Sequence, residues 1–197
     1  MTPFSLSEDG FESQLAANYI GHFALIGLLL DLLEQTPASR IVSLSSLAHQ
    51  SGQIHFDDIN LQKEYTPGKA YEQTKLACLM FAIEFQRKLS EQGYQTLSVA
   101  AHPGISASNL GAHLGGFMSV ILGLLAQSSA KGALPTLYAA LGEDIIGGDF
   151  CGSSGLLEMR GNAKKVEPKA HAEDKEVAKK LWELSESLTG VNYFKSV

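Results

Sequence analysis

At 197 residues the chain is long enough for one ordinary domain and could bury about 70% of its unfolded surface. Its composition, 45% hydrophobic and 18% charged, excludes a disordered or low-complexity chain. The net charge of −6 argues against broad nucleic-acid binding, which needs a basic face to displace phosphate counterions.

Cys78 and Cys151 stand far apart and outside any Cys-x-x-Cys pattern, so two reduced thiols are expected rather than a disulfide scaffold or zinc site. The amino terminus has neither the basic region nor the apolar core of a signal peptide. The most apolar runs, Phe23–Leu30 and Phe117–Ala126, fall well short of the roughly 20 residues that span a bilayer. The expectation is a cytoplasmic protein with no transmembrane segment, acting on small molecules.

In chain order, Ser7 can cap a helix that runs through Phe11, Leu15, Ile20, Phe23 and Leu28 to Leu33, stopped by Pro37. Its second half is apolar on nearly every side, which predicts burial on both flanks. Arg40 to Ser46 reads as a buried parallel strand. Residues 47–68, with Gly52, Asp57, Asp58, Asn60, Pro67 and Gly68, read as a long surface loop, a feature that is usually functional or disordered. A helix is predicted from Ala70 to about Gln92, then a strand from Thr96 to Ala101 closed by His102-Pro103-Gly104. Helices are predicted over 114–126 and 129–141, a short third strand near Phe150, and an amphipathic helix from Asp174 to Leu188 ending before Gly190. The alternation predicts a single α/β domain with a parallel sheet, without repeats or flexible linkers.

Tyr71-Glu-Gln-Thr-Lys75 is the strongest chemical signal. A spacing of four puts both side chains on one helical face, one turn apart. A free tyrosine, with a pKa of about 10, is a poor acid or base near neutrality, and a nearby ammonium favours its phenolate. The pair therefore suits alcohol/carbonyl interconversion, although the spacing alone is common by chance. Ser46 stands at the carboxyl end of a predicted strand, where open α/β sheets bind ligands, and its hydroxyl can donate to a substrate oxygen. Pro103-Gly104 ends the next strand, where a turn without a side chain lets backbone approach a flat ring. Separately these are a loop serine and a plain turn; their order along the chain sets them apart. The six histidines show no metal-ligand spacing and read as packed or solvated, and no Gly-x-Ser-x-Gly elbow surrounds Ser46.

Asn18-Tyr-Ile-Gly-His-Phe23, Arg40-Ile-Val-Ser-Leu-Ser-Ser46, Tyr71-x-x-x-Lys75 and His102-Pro-Gly104 together resemble successive motifs of the short-chain dehydrogenase/reductase family. Ser45-Ser46-Leu-Ala-His49 and Gly155-Leu-Leu-Glu-Met159 are similar to its retinol-dehydrogenase-like and WW-domain-oxidoreductase-like branch. The resemblance implies that Tyr71 is the general acid or base of an oxidoreductase using NADP or NAD. Lys75 would lower its pKa and hold the nicotinamide ribose, Ser46 would bind the substrate oxygen, and Asn18 would hold a water in the proton relay. Pro103 and Gly104 would line the nicotinamide, Ser108 would lie near the carboxamide, and residues 110–128 would form a substrate lid. Leu114, Phe117, Met118 and Leu122 in that lid suggest an apolar alcohol or carbonyl substrate, with core packing as the equal alternative. A homodimer or tetramer is expected through the helices bearing Phe23 to Leu33 and Leu76 to Leu89, both apolar on several faces.

The chain departs from the family pattern at its beginning. The first strand, the glycine-rich turn and helix that bind the cofactor pyrophosphate, and the strand with an Asn-Ala-Gly motif are not in the sequence. The expected fold is thus the carboxy-terminal portion of a Rossmann-type doubly wound parallel sheet, with a bare apolar edge and no adenosine site. Three readings stay open: a truncated part of an intact enzyme, with Met1 an internal methionine; a short non-catalytic product acting as an interaction module; and a decayed remnant.

Overall fold

A computed structural model of the chain describes residues 2–105 and 127–194. Ser108, the predicted helix over 114–126 and all but the last two residues of the expected lid lie outside the described residues.

Helix α1 runs over Ser13–Glu34. It begins later than the Ser7 cap predicted, because Gly10 turns the chain at φ +80° and Leu6 bridges back to Glu12. Glu12, 1% exposed, is the actual cap: its carboxylate accepts from the Leu15 amide, and its own amide donates to Asn60. One turn, Ala16–Ile20, is widened to a π-helical turn, a feature that in proteins often marks functional sites, and it carries Asn18. By length and mean hydropathy (22 residues, 1.5), α1 is long and apolar enough to cross a membrane, two measures that the core helix of a soluble fold also meets. Asn18 and His22 interrupt its apolar side chains, so no long apolar run stands out in the sequence.

Strand β1 (Arg40–Leu44) leads through two short 3-10 turns, Leu47–Ser51 and Phe56–Asp58, to helix α2 (Pro67–Glu91). Thr66 caps α2 on the Lys69 amide with Pro67 in its first turn, so the helix starts three residues before the predicted Ala70. Then follow β2 (Leu97–Ala101), α3 (Ser129–Leu141), β3 (Phe150–Ser153), the unpredicted β4 (Ala163–Lys165) and α4 (Lys175–Thr189). Helix α4 closes on Gly190 at φ +68°, the left-handed cap that glycine favours.

The sheet order is β1-β2-β3-β4. The first two pairings are parallel, with Leu44 opposite Ala101 and Ala100 opposite Phe150, and the last is antiparallel, with Cys151 opposite Lys165. Alternate residues of β2 face two cores. Ala100 joins the larger core with Phe23, Phe81, Phe85 and Trp182, from α1, α2 and α4, while Val99 and Ala101 pack with Ala139 of α3. This is a three-layer sandwich, the expected α/β class with one antiparallel addition.

At β1 the sandwich is open: among the described residues the strand pairs only with β2. Both helical layers are apolar beside this edge. Helix α1 exposes Leu25, Leu28 (74%), Leu29 and Leu32, and α3 exposes Leu134, Leu137 and Leu141. The expected burial of α1 on both flanks is therefore met on one, since Leu15, Tyr19, Phe23 and Leu30 are covered and the other flank lies bare. The apolar residues of α2 from Leu76 to Leu89 are instead covered within the chain, largely by α1, α4 and the sheet, so the outward apolar face belongs to α1.

Candidate active site

The carboxyl end of β1, the π-turn of α1 and the first turns of α2 meet around Lys75. Lys75 bends back to β1 and donates from Nζ to the Leu44 carbonyl at 3.0 Å. Its ammonium stands 5.7 Å from the centre of the Tyr71 ring. The backbone is tied at the same point, where the Ser45 hydroxyl donates to the Lys75 carbonyl at 2.7 Å. The Tyr71–Lys75 helical face is thereby fixed against the end of β1 by both a side chain and a main-chain group.

The π-turn of α1 approaches from the other side. Asn18 Nδ2 lies 3.4 Å from Thr74 Oγ1, while the Asn18 carbonyl accepts from Cys78 Sγ at 3.1 Å. Asn18 is thus held against the helix turn that bears Lys75. A groove of about 270 Å³ opens here between α1 and the bare edge of β1, lined among others by Asn18, His22, Ser43, Leu44 and Cys78. Burial pushes the Cys78 thiol up to about 11, so it is a packed thiol rather than a nucleophile.

Ser46 caps the turn after β1: its hydroxyl oxygen accepts from the Ala48 amide at 3.2 Å. Among the described residues nothing accepts the hydroxyl proton, which leaves it free to meet a ligand oxygen. Its carbonyl accepts from Nδ1 of His49 at 2.7 Å. His49 is 1% exposed, and its Nε2 has no hydrogen-bond partner among the described residues.

After β2, Pro103 and Gly104 form the predicted turn. Gly104 has φ +66°, and a Cβ there would stand 2.4 Å from the Met159 carbonyl oxygen, so glycine is required on both counts. His102, fully buried, lies behind the turn and pairs with Glu158. From sequence alone His102 reads as packed or solvated, and Glu158 stands only as part of the Gly155–Met159 motif. The one available signal was the His-Pro-Gly and Leu-Glu-Met pair of motifs, whose contact spans 56 positions.

An ammonium offers three N–H donors, and among the described residues Lys75 gives one, to Leu44. The remaining donors, with the Tyr71 ring beside them, suit the ribose hydroxyls of a dinucleotide. The described residues contain no strand–glycine-rich turn–helix unit for the pyrophosphate end.

No family model matches the chain. Human retinol dehydrogenase 13 is 42% identical over 96% of the chain, and mouse retinol dehydrogenase 14 is 34% identical over 96%. The chloroplastic short-chain dehydrogenase TIC 32 A of Brassica napus is 39% identical over 93%. The chain spans 57%, 56% and 58% of the length of these three relatives. A crystal structure of an uncharacterized protein from Mycobacterium Paratuberculosis matches with a TM-score of 0.80 and 38% identity, over 98% of this chain and 65% of that one. Motif order, fold and relatives agree: the chain belongs to the short-chain dehydrogenase/reductase family, in its retinol-dehydrogenase-like branch.

Proposed function

We propose that the chain is the catalytic portion of an NADP- or NAD-dependent oxidoreductase that interconverts an alcohol and its carbonyl compound. The observation that carries this is the fixation of Lys75 between the Leu44 carbonyl and the Tyr71 ring, on the helix turn that Asn18 approaches. In the oxidative direction Tyr71 takes the proton from the hydroxyl oxygen while hydride leaves the carbon that bears that hydroxyl. When bound, the nicotinamide supplies the hydride acceptor, or the donor in reverse. Lys75 stands over the Tyr71 ring and holds the ribose; Ser46 donates a hydrogen bond from its hydroxyl to the substrate oxygen. Asn18 holds the water that links Lys75 to solvent. Pro103 and Gly104 line the nicotinamide, with Ser108 near its carboxamide.

Relatives named as retinol dehydrogenases support an apolar alcohol or aldehyde as the substrate class. Because the relatives are longer, the pyrophosphate-binding part is to be supplied by chain that this sequence lacks, and the complete enzyme is the active form. The test is Tyr71→Phe in such an enzyme, this chain joined behind the amino-terminal part of a relative. Turnover should collapse with cofactor binding retained, and full activity would remove Tyr71 from the mechanism.

A second reading, an interaction module without catalysis, is favoured by one observation: both helical layers present leucines beside the unpaired β1 edge. It requires a partner that binds this face and no turnover when the missing part is restored.

A further inference from the structure

Two loops meet behind the Pro103–Gly104 turn, and the turn's position depends on both. His102 Nδ1 accepts from the Gly104 amide at 3.2 Å, which leaves the ring proton on Nε2. That Nε2–H donates to Glu158 Oε2 at 2.9 Å. Next to it the Ile105 amide donates to the Met159 carbonyl at 2.7 Å. The loop after β3 therefore grips the loop after β2 through one side-chain link and one main-chain link.

The gripping loop is strained at the residue that matters. Leu157 and Glu158 have φ of +50° and +57°, in the left-handed region that non-glycine residues avoid. Leu157 is 68% exposed, so side-chain burial does not hold it there. Such conformations persist where the surroundings over-determine them, commonly at ligand-binding sites. Here they deliver the Glu158 carboxylate to His102 and the Met159 carbonyl to Ile105. Gln127, 6% exposed, is a second clamp: Nε2 donates to the Pro103 carbonyl at 2.9 Å, and Oε1 accepts from the Gly161 amide at 3.1 Å.

We propose that Glu158 is a positioning residue for the oxidoreductase: acting through His102, it holds the Pro103–Gly104 turn and so sets where the nicotinamide ring lies relative to Tyr71. The proposal rests on the assignment of that turn to the nicotinamide. Glu158 does not touch the reacting atoms, and its carboxylate, 28% exposed, faces solvent on one side. Its removal should move the turn without unfolding the sheet.

Three variants separate positioning from general stability. Glu158→Ala removes the acceptor, Glu158→Gln keeps an oxygen for the Nε2–H, and Tyr71→Phe reports on the reaction itself. In the 197-residue chain, amide hydrogen exchange at Gly104 and Ile105 should accelerate at least about tenfold in Glu158→Ala while the α2 core amides of Leu79 and Phe85 keep wild-type protection. In the enzyme completed by a relative's amino-terminal part, Glu158→Ala should raise the cofactor KM about tenfold with kcat within about threefold, and Glu158→Gln should restore KM to within about twofold. Unchanged KM and exchange in Glu158→Ala overturn the proposal, as does a KM change that tracks a lowered Tm or that Glu158→Gln fails to rescue. If Glu158→Ala is silent while Tyr71→Phe abolishes turnover, the positioning role alone fails. If Tyr71→Phe stays active, the assigned reaction fails and the positioning role with it.

Discussion

The ammonium of Lys75 lies 3.0 Å from the carbonyl oxygen of Leu44, the last residue of β1. A lysine on a helix is thereby anchored to the end of a strand 31 positions earlier. That anchor, with the Ser45 hydroxyl on the Lys75 carbonyl, fixes the orientation of the face that carries Tyr71.

Tyr71→Phe keeps the ring under Lys75 and removes only the proton. In a completed enzyme kcat should fall by about 10²- to 10⁴-fold, the usual contribution of a general acid or base, with cofactor affinity nearly unchanged. Steady-state kinetics with parallel cofactor titration checks this. Lys75→Met should lose both turnover and cofactor affinity, because the ammonium serves both.

Acid should weaken the fold through two buried imidazoles. Burial holds both His49 and His102 below their ordinary 6.5; for His49 the neighbouring His102 and His171 add to the shift, and for His102 the Glu158 hydrogen bond opposes it. The unfolded chain then binds more protons than the native one, so stability rises with pH. The contribution is complete above 6.5 and is lost as the pH falls from there through the lower native values. Tm followed from about pH 8 to about pH 5 should decline, and His49→Gln should reduce the decline. A flat profile would show that these rings are not held neutral.

The leucine face of α1 should drive association of the isolated chain. Leu28 and Leu32 are exposed beside the unpaired β1 edge, so Leu28→Glu with Leu32→Glu should raise solubility and lower the sedimentation-average mass. Fold stability should change by less than about 1 kcal/mol, because both side chains are already exposed. Leu79→Ala, at a position with no exposure, should by contrast cost about 2–5 kcal/mol.

The parts of this architecture legible in the sequence are those where a local signal and the tertiary role coincide. Arg40–Leu44 and Leu97–Ala101 are short, largely apolar runs followed by polar residues, and Gly190 marks the end of α4 by its backbone freedom. Tyr71, Lys75 and Pro103–Gly104 could be located because their spacing and order repeat a family pattern. What was missed depends on distant partners. Ser7 looks like a cap, but Glu12 wins the role because Asn60 and Tyr65 hold it. The π-turn is unmarked in sequence, and Asn18 within it is held by Thr74 and Cys78 from α2. Strand β4, with its short Ala-Lys-Lys run, forms by pairing to β3 and carries no apolar pattern of its own. Glu158 lies within the Gly155–Met159 motif, but its role comes from His102, 56 positions away.

Titration of NADPH into purified residues 1–197 tests most directly whether this chain holds the catalytic groups but lacks the seat of the cofactor. In this fold the pyrophosphate is held by a glycine-rich turn and the helix behind it, which the sequence does not contain. Calorimetry should show no saturable binding at micromolar concentration by the chain alone, and binding restored when a relative's amino-terminal part is joined to it. Saturable micromolar binding by monodisperse residues 1–197 would contradict this division of labour.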